Sequence, residues 1–256
     1  MNLRNLYYLP VYWLGLLIFA VGGLEVSALG LLFSWLPASE GVERFFQRYI
    51  HYHFRFFHEW CALVDLIHVR YEGMERIPAG GVVVVANHIS LIDITCLLAH
   101  LPEAACIFKP SIRSNPVLGA AARRAGYLGS DGGHDLVRRA VQKVTHGNLL
   151  VVFPEGTRAT RGKTSPFKPG FALIARHAQV PVQLVRIATD SDVLTKGRPI
   201  LRLPRFPAHV TITVGPLLDS ARAASPEALA DEVAAWYRGA PTAAEPACPP
   251  PLAALS

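Results

Sequence analysis

The sequence predicts an α/β protein, in which a single domain with a mostly parallel or mixed sheet is flanked by helices and preceded by a membrane-associated helical segment. The first observation is that short apolar runs alternate with stretches of helical periodicity from about residue 65 onward. The second is an almost wholly apolar stretch at residues 10–36. Composition agrees, because 51% of the 256 residues are hydrophobic and only 17% are charged, which is apolar for a freely soluble enzyme.

Residues 10–36 are expected to associate with a membrane. The stretch is long enough to span a bilayer, and a tryptophan lies near each end, as is typical of the membrane interface. Glu25 lies in its middle, where a charge costs roughly 2.5–3.5 kcal/mol in lipid. We therefore expect a helix broken at Gly22 and Gly23, or a hairpin lying in one leaflet. A cleavable signal peptide is disfavoured, because Arg4 alone forms the basic region before a long apolar zone.

Residues 44–60 predict an amphipathic helix. Its charged positions recur at helical spacing on one face, and an aromatic stripe adjoins them. The polar set is Arg44, Arg48, His51, Arg55 and Glu59, and the stripe is Phe45, Tyr49, Tyr52, Phe56 and Trp60. Such a helix is typical of the membrane interface, although the aromatics also suit a helix packed on the domain. A metal site is not expected at His51, His53 and His58, because the three do not share one helical face.

The remaining chain is predicted as alternating strands and helices. Strands are predicted at 65–71, 82–86, 104–108, 126–128, 149–153, 182–187 and 210–214. Helices are predicted at 91–100, 116–125, 134–146 and 170–177, with Ser90 as the N-cap of the first. A last helix is predicted from Ser225, its N-cap, and Pro226 to Gly239. The chain thus divides into membrane-anchoring helices at 1–62, the α/β domain at 63–239 and a Pro/Ala-rich tail at 240–256, expected to be disordered.

The run from Val82 to Asp93 is the most informative part of the chain. Four consecutive valines predict a buried strand, and Asn87 and His88 follow it closely. Asp93 stands five positions beyond His88, with four residues between them, a spacing that would point the two side chains about 140° apart on one regular helix. They can meet if His88 lies in the turn before a helix and Asp93 in its first turns, where the helix dipole favours a carboxylate. An imidazole oriented by a carboxylate is the minimum equipment of a general base, whereas a packed or capping histidine is the plainer alternative.

A second apolar run ends in a polar turn. After residues 149–153 come Pro154, Glu155, Gly156, Thr157 and Arg158. The turn gathers backbone N–H groups, a hydroxyl, a carboxylate and a guanidinium, and the planar guanidinium matches a phosphate in bidentate fashion. Because ligands of such sheets gather beyond the carboxyl ends of the strands, this turn and His88 are expected at the same edge. An ordinary Pro-Gly turn with a solvated arginine is the alternative.

Together the two segments resemble the glycerolipid acyltransferase family, whose best-known members are the lysophosphatidate acyltransferases. His88 to Asp93 resembles the family motif H-x-x-x-x-D, and Phe153 to Arg158 matches its motif F-P-E-G-T-R in full. Further similarity covers Phe108-Lys109, Pro116, Gly119, Gly126-Tyr127-Leu128-Gly129-Ser130-Asp131 and Val180-Pro181-Val182. The resemblance spans about residues 64 to 216 and implies a glycerol-3-phosphate acyltransferase-like fold.

The resemblance implies direct acyl transfer from a thioester to a hydroxyl. His88 would remove the hydroxyl proton of the acceptor, and Asp93 would fix the imidazole tautomer and stabilise the imidazolium. The acceptor would be a lysophospholipid, above all lysophosphatidic acid, which would become phosphatidic acid. The donor would be acyl-CoA or an acylated acyl-carrier protein, used as a substrate, and neither a metal nor a cofactor is implied.

The same resemblance assigns the substrate-binding residues. Arg158 and Lys109 would hold the phosphate of the acceptor, while Glu155, Gly156 and Thr157 would shape that pocket. For Lys109 the alternative is a solvated residue after a strand, and for Glu155 it is a structural partner of Arg158. The basic loop that continues through residues 161–170 would meet thioester phosphates or lipid headgroups, or is simply solvated.

One position departs from the family pattern and leaves the acceptor open. Many members carry an arginine after the glycine-containing strand, usually linked with the glycerol-phosphate acceptor, whereas this chain has Gly132 and Gly133. An amino-acid lysolipid such as an ornithine-lipid precursor, or another alcohol, is therefore an alternative acceptor. A catalytically silent membrane scaffold is a further alternative. A serine hydrolase is not expected, because the chain has no G-x-S-x-G turn.

The charge and the cysteines bear on partners and location. The net charge of +6 suggests an anionic partner. An anionic membrane or a phosphorylated substrate explains it better than nucleic acid, for which no basic stripe with base-reading motifs is present. We expect the inner (cytoplasmic) membrane, with the active site facing the cytoplasm. Cysteines 61, 96, 106 and 248 lack metal or redox spacing, and the first three are expected to be small buried hydrophobes.

Overall fold

The computed structural model describes residues 3–158 and 166–239. In this part of the chain seven strands form one sheet: β1 (Ile67–Glu72), β2 (Val82–Ala86), β3 (Ala104–Phe108), β4 (Leu128–Gly129), β5 (Leu149–Val152), β6 (Val182–Thr189) and β7 (Ala208–Leu218). The α-helices are α1 (Leu3–Leu32), α2 (Glu40–Leu63), α3 (Ile92–Leu98), α4 (Pro110–Arg113), α5 (Gly119–Arg124), α6 (Gly133–Thr145), α7 (Gly170–Ala178) and α8 (Pro226–Gly239). A short 3-10 helix covers Met74–Arg76.

The sheet is mixed. Its strand order is β1-β7-β6-β2-β5-β3-β4, and the five strands from β6 to β4 are parallel to one another. β7 runs antiparallel to β6 and parallel to β1, so the strands at one side run against the rest. The predicted α/β class is confirmed, and the sheet is the mixed form of the prediction.

β2 lies near the centre of the sheet and is buried on both faces. All four of its valines, Val82 to Val85, are 0% exposed, as expected for a continuous apolar run in a parallel sheet. Because side chains alternate along a strand, Val82 and Val84 pack with α1, α2 and α3, while Val83 and Val85 pack with α6, α7 and α8. The helices thus form one layer on each face.

Several predicted boundaries were wrong by a few residues. The helix after β2 begins at Ile92 with Leu91 as its N-cap, one residue after the predicted Ser90. The Ser90 hydroxyl oxygen still accepts the Ile92 N–H at 3.3 Å while the hydroxyl donates to the Val193 carbonyl. The helix predicted at 116–125 begins at Gly119, since the Asn115 side chain accepts the N–H groups of Val117 and Leu118 in a turn. A separate short helix, α4, precedes that turn.

α1 is one continuous helix, so the predicted break at Gly22 and Gly23 was wrong. Glu25 is tolerated because its carboxylate accepts the Tyr49 hydroxyl and lies 2.8 Å from His53 Nε2, both on α2. Gly23 serves close packing instead: a Cβ there would lie 2.5 Å from a methyl carbon of Val117. Glu25 in the apolar stretch therefore marks a contact between α1 and α2, and it does not mark the end of a helix.

α1 packs on the domain near both of its ends. Tyr8 and Tyr12 are buried in the same core as the sheet, and the Tyr8 hydroxyl donates to Asp65. Near the other end Ser27 is buried and donates to the Val117 carbonyl. The division of the chain at residues 62 and 239 stays a sequence prediction, and the predictions for the 240–256 tail, Cys248 and the basic residues at 161–163 lie outside the described residues.

α2 turns two histidines inward, and one of them makes stability depend on pH. His58 is 8% exposed, and burial lowers its pKa from 6.5 to about 4. The folded protein therefore keeps His58 neutral at pH values where the unfolded chain already binds a proton. We expect the free energy of unfolding to fall as pH decreases from about 6.5 towards 4, by roughly 2 kcal/mol between pH 7 and pH 5.

Chemical denaturation at those two pH values, in detergent, measures this effect. His58→Gln is the matched variant, because the glutamine amide does not titrate. The wild-type protein should lose roughly 2 kcal/mol more than the variant on acidification. An equal loss in both proteins would assign the pH dependence to other groups.

Candidate active site

His88 stands just beyond the carboxyl end of β2, and the residue before it sets its direction. The Asn87 amide donates to the Ile187 carbonyl at 2.8 Å and accepts the Ile187 N–H at 2.7 Å. This side-chain pairing continues the contact between β2 and β6 past the end of the strand. The chain then turns away from the sheet and carries His88 into a cavity.

Asp93 lies in the first turn of α3 and meets the His88 imidazole. The distance from Nδ1 to Asp93 Oδ2 is 3.0 Å, and the same oxygen accepts the N–H groups of Ile89 and Ser90 at 2.6 and 2.8 Å. Asp93 is 1% exposed. Because an ionised carboxylate only accepts hydrogen bonds, Nδ1 carries the hydrogen and Nε2 keeps a free lone pair. The structure thus brings together the two residues that the sequence paired, with the tautomer that a base needs.

Glu155 joins the second motif to the first. Its Oε1 accepts the His88 backbone N–H at 3.1 Å, whereas its Oε2 is buried and has no hydrogen-bond partner in residues 3–158 and 166–239. Burial raises the pKa of this carboxyl group above its usual value. The expected alternative, a pairing with Arg158, is not what the structure records. Arg158 instead donates to the Leu194 carbonyl at 2.7 Å.

The turn around Gly156 gathers basic side chains. Gly156 has φ +65°, a left-handed conformation that favours glycine. The Lys168 side chain lies beside it, 3.2 Å from where a Cβ would be. Lys109, at the end of β3, donates to the Thr157 hydroxyl at 3.3 Å. The predicted substrate-binding residues therefore do share one edge of the sheet, and Lys168 adds a cation there.

A cavity of about 840 Å³ extends from this edge under the first two helices. Most of its polar lining is at least partly exposed and lies near the His88–Asp93 and Phe153–Arg158 segments, so the cavity opens to solvent there. The rest of the lining is mainly apolar and aromatic, and its polar exceptions are Tyr127 and the Glu25–His53 pair from α1 and α2. The polar residues near the motifs are His88, Lys109, Ser111, Ser130 and Arg158, and the apolar ones include Leu17, Phe19, Val26, Ile50, Phe54, Phe57, Ile94, Leu98, Cys106, Phe108 and Phe153. This size and lining suit a ligand with a long apolar part and a charged end.

Some contributors to the site were not expected. The Phe153 ring stacks on the His88 imidazole with centroids 4.2 Å apart. Leu194 and Val193, in the connection between β6 and β7, accept hydrogen bonds from Arg158 and Ser90. Phe153 could have been inferred, since it belongs to the second motif. The β6–β7 connection carries no local pattern that marks it as part of a site.

The cysteines and histidines in the described ranges offer no alternative chemistry of their own. No group of three or more metal-ligating side chains occurs in residues 3–158 and 166–239. Burial raises the pKa of Cys61 and of Cys106 to about 12, so both thiols stay protonated at neutral pH. A protonated thiol is a poor nucleophile and a poor metal ligand.

Comparison with known sequences connects this geometry to acyl transfer. A family model described as Acyltransferase matches residues 68–188. The chain is 31% identical over 133 residues to the chloroplastic 1-acyl-sn-glycerol-3-phosphate acyltransferase BAT2 of Brassica napus, covering 49% of this chain and 39% of that protein. It is 34% identical over 126 residues to the 1-acyl-sn-glycerol-3-phosphate acyltransferase of Helicobacter pylori, covering 46% and 53%.

A third relative has a different acceptor in its name. The lyso-ornithine lipid O-acyltransferase of Pseudomonas aeruginosa is 29% identical over 170 residues, covering 59% of this chain and 64% of that protein. The matched region thus spans less than two thirds of each of these relatives.

A solved structure extends the likeness to nearly the whole chain. The crystal structure of the 1-acyl-sn-glycerophosphate (LPA) acyltransferase PlsC from Thermotoga maritima is similar with a TM-score of 0.67 and 26% identity. The match covers 91% of this chain and 92% of that one. It confirms the predicted architecture, a mixed sheet flanked by helices and preceded by an apolar N-terminal helix.

Proposed function

We propose that this protein moves a fatty acyl group from a thioester to the free hydroxyl of lysophosphatidic acid, giving phosphatidic acid, and the match of residues 68–188 to a family model described as Acyltransferase supports this reaction class. One observation carries the proposal: the His88 imidazole, held by Asp93, lines the same cavity as a basic mouth and a long apolar interior. A reaction between two amphiphiles needs a base at the boundary between charged and apolar binding regions, and His88 lies at that boundary.

In the proposed reaction His88 acts as the general base. Its Nε2 removes the acceptor's hydroxyl proton as the oxygen attacks the thioester carbonyl carbon, and the negative charge of Asp93 stabilises the imidazolium. The tetrahedral intermediate collapses, the carbon–sulfur bond breaks, and the departing sulfur takes the proton from Nε2 as the free thiol. His88 is then neutral again, and no covalent acyl-enzyme is required.

The mouth of the cavity is proposed to bind the charged part of the substrates, and its interior the apolar part. Arg158 and Lys109 hold the acceptor's phosphate, with Lys168 as a further cation near Gly156. Glu155 holds the His88 backbone, so it shapes the site from below the base. The apolar interior between α1, α2 and α3 takes a fatty chain, since its aromatic and aliphatic walls gain from burying one.

We propose that α1 lies in one leaflet of the inner membrane, with the active site towards the cytoplasm, where CoA and carrier-protein thioesters are found. α1 is long and apolar enough to cross a bilayer, but it packs on the domain near both ends, which favours lying along the surface. Its outer face is exposed and apolar, whereas the exposed side of α2 combines aromatic side chains with Arg48, Arg55 and Glu59. The exposed apolar and aromatic side chains that do not line the cavity include Leu6, Trp13, Leu24, Leu31 and Leu32 on α1, and Phe45 and Tyr52 on α2.

Flotation with vesicles containing anionic phospholipid tests this placement. Leu31→Glu combined with Leu32→Glu should reduce the bound fraction severalfold, because each replacement puts a charge where the proposed leaflet lies. Leu217→Glu is the matched control, being an exposed leucine near the end of β7. Equal binding of all three proteins would remove α1 from the membrane contact.

Thiol release from acyl-CoA by purified protein in detergent tests the reaction. Lysophosphatidic acid is the acceptor, an acylated carrier protein is the second donor, and His88→Ala is the control. Release that requires both the acceptor and His88 supports the proposal, and the faster donor identifies the thioester used. Release that is independent of either would contradict it.

A lyso-ornithine lipid is the second candidate acceptor. Two features favour it: the longer match to the lyso-ornithine lipid O-acyltransferase, and Gly132 and Gly133 at the start of α6, where the family resemblance implies an arginine. Glycines supply no cation for a phosphate. The same assay with lyso-ornithine lipid separates the two, because only the true acceptor should stimulate His88-dependent thiol release.

A further inference from the structure

α3 carries Asp93 and is only seven residues long. Helices shorter than about 12–15 residues are marginal by themselves, so tertiary contacts must fix its position. Its N-cap residue, Leu91, makes no side-chain cap hydrogen bond. Local bonds hold the start of the helix, since Ser90 Oγ accepts the Ile92 N–H and the N–H groups of Ile89 and Ser90 bind the Asp93 carboxylate. Groups that reach α3 from neighbouring elements must fix the rest of its position.

One of these groups is His58, which reaches α3 from α2. Its Nε2 lies 3.0 Å from Thr95 Oγ1, and the Thr95 hydroxyl donates to the Ile92 carbonyl at 2.8 Å. Because the hydroxyl proton is committed to Ile92, the hydroxyl oxygen accepts from His58, and Nε2 carries the hydrogen. This two-bond relay ends at the residue directly before Asp93.

Burial fixes the direction of the two hydrogen bonds, in which His58 donates to Thr95 and Thr95 donates to Ile92. His58 is 8% exposed and Thr95 is 3% exposed. The His58 Nδ1 is buried without a hydrogen-bond partner among the described residues, so a second proton there would have no acceptor. Neutral His58 is thus a donor through Nε2 alone, and the alternative tautomer would leave Thr95 without its donor.

Other contacts hold α3 at different points. His51 Nδ1 lies 2.9 Å from the Leu98 carbonyl at the end of the helix, and the Tyr71 hydroxyl donates to the Cys96 carbonyl at 2.9 Å. Among the described side chains of α2, His58 is the one that reaches the first turn, through Thr95. The contact of His58 with Thr95 can therefore align Asp93, whereas the contacts of His51 and Tyr71 support the later part of the helix.

We propose that His58 and Thr95 are positioning residues for acyl transfer, which hold the first turn of α3 so that the Asp93 carboxylate stays aligned with the His88 imidazole. The proposal rests on the proposed function for its reaction. It also connects the base to α2, the helix whose outer face we assign to the membrane surface.

Kinetics of matched variants form the first test. Thr95→Val removes the hydroxyl with little change of shape, Thr95→Ser keeps it, and His58→Gln keeps an N–H donor. Since a misplacement of about 1 Å can cost up to about a hundredfold in rate, we expect Thr95→Val to lower kcat roughly ten- to hundredfold with an unchanged KM for the donor. Thr95→Ser should stay close to the wild type, and His58→Gln should fall in between.

Tyr71→Phe is the matched control, because it removes a different, partly buried hydrogen bond to α3. Rates are normalised to folded protein by circular dichroism, which separates alignment from loss of stability. A kcat for Tyr71→Phe close to that of the wild type supports the proposal. An equal loss in Tyr71→Phe and Thr95→Val, or a wild-type kcat in Thr95→Val, overturns it.

Nitrogen NMR of histidine-labelled protein gives a second readout that needs no turnover. The His88 signals, assigned by their loss in His88→Ala, report whether Nδ1 carries the hydrogen that faces Asp93. We expect that tautomer in the wild type, Thr95→Ser and Tyr71→Phe, and a mixture of tautomers in Thr95→Val. If Thr95→Val does not fold, His58→Leu compared with His58→Gln makes the same comparison.

The two readouts separate the two proposals. A tautomer that depends on Thr95 in a protein that releases no thiol with any acceptor would contradict the proposed function and keep the positioning role. Turnover together with a tautomer that is unaffected in Thr95→Val would support the proposed function and contradict the positioning role.

Discussion

Replacement of His88 by alanine is expected to lower kcat/KM for acyl transfer by about 10²–10⁴-fold, the usual contribution of a positioned general base. Nδ1 is bound to Asp93, so Nε2 is the basic atom of this residue in the cavity. Alanine supplies no group that can take the acceptor's proton at neutral pH. The attacking oxygen would then have to lose its proton to water.

Steady-state thiol release with varied donor and acceptor measures the loss, and the split between kcat and KM identifies its origin. The loss should lie in kcat, because the imidazole is proposed to act on the proton and not to bind either chain. His146→Ala, on the exposed end of α6, is the matched control for losing a histidine. A His88→Ala protein that keeps a tenth or more of the wild-type kcat would require a different base.

The contact between His88 and Asp93 was predictable from sequence because the two residues lie close together along the chain. A buried strand, a turn and a helix start follow one another between Val82 and Ile92, so local patterns were enough to place His88 opposite Asp93. The contact between Glu155 and the His88 N–H joins residues 67 positions apart. The sequence placed Glu155 and His88 at one edge of the sheet only through the general rule that sites gather beyond the carboxyl ends of the strands. It could not predict the hydrogen bond between them.

Two of the failures have a common physical cause, which is a partner far along the chain. Glu25 in an apolar stretch predicted a broken helix, yet it is compensated by His53, 28 residues away. The contribution of the β6–β7 connection was missed for the same reason, since Arg158 and Leu194 lie 36 residues apart. Periodicity and capping rules describe a segment on its own, and they cannot show which side chain of a distant segment will form a hydrogen bond with a given group.

Replacement of Asp93 by alanine is expected to lower kcat by about 10²–10⁴-fold and also to destabilise the fold. Oδ2 accepts three hydrogen bonds, two from backbone N–H groups and one from His88. Without it the buried Ser90 N–H loses its acceptor, at a cost of about 1–3 kcal/mol, and the partly buried Ile89 N–H loses its acceptor at a smaller cost. The imidazole is then free to adopt the other tautomer, in which Nε2 carries the hydrogen and cannot take a proton.

Asp93→Asn separates orientation from charge, because all three donors converge on one oxygen. An asparagine with its carbonyl oxygen in the Oδ2 position keeps all three hydrogen bonds and the tautomer, but it loses the negative charge that stabilises the imidazolium. We therefore expect the stability of Asp93→Asn to be near that of the wild type, and its kcat to lie between those of the wild type and Asp93→Ala. Thermal unfolding and steady-state kinetics on the three proteins measure both. If Asp93→Asn is as slow as Asp93→Ala although it is as stable as the wild type, charge dominates; if it is as fast as the wild type, Asp93 acts by orientation alone.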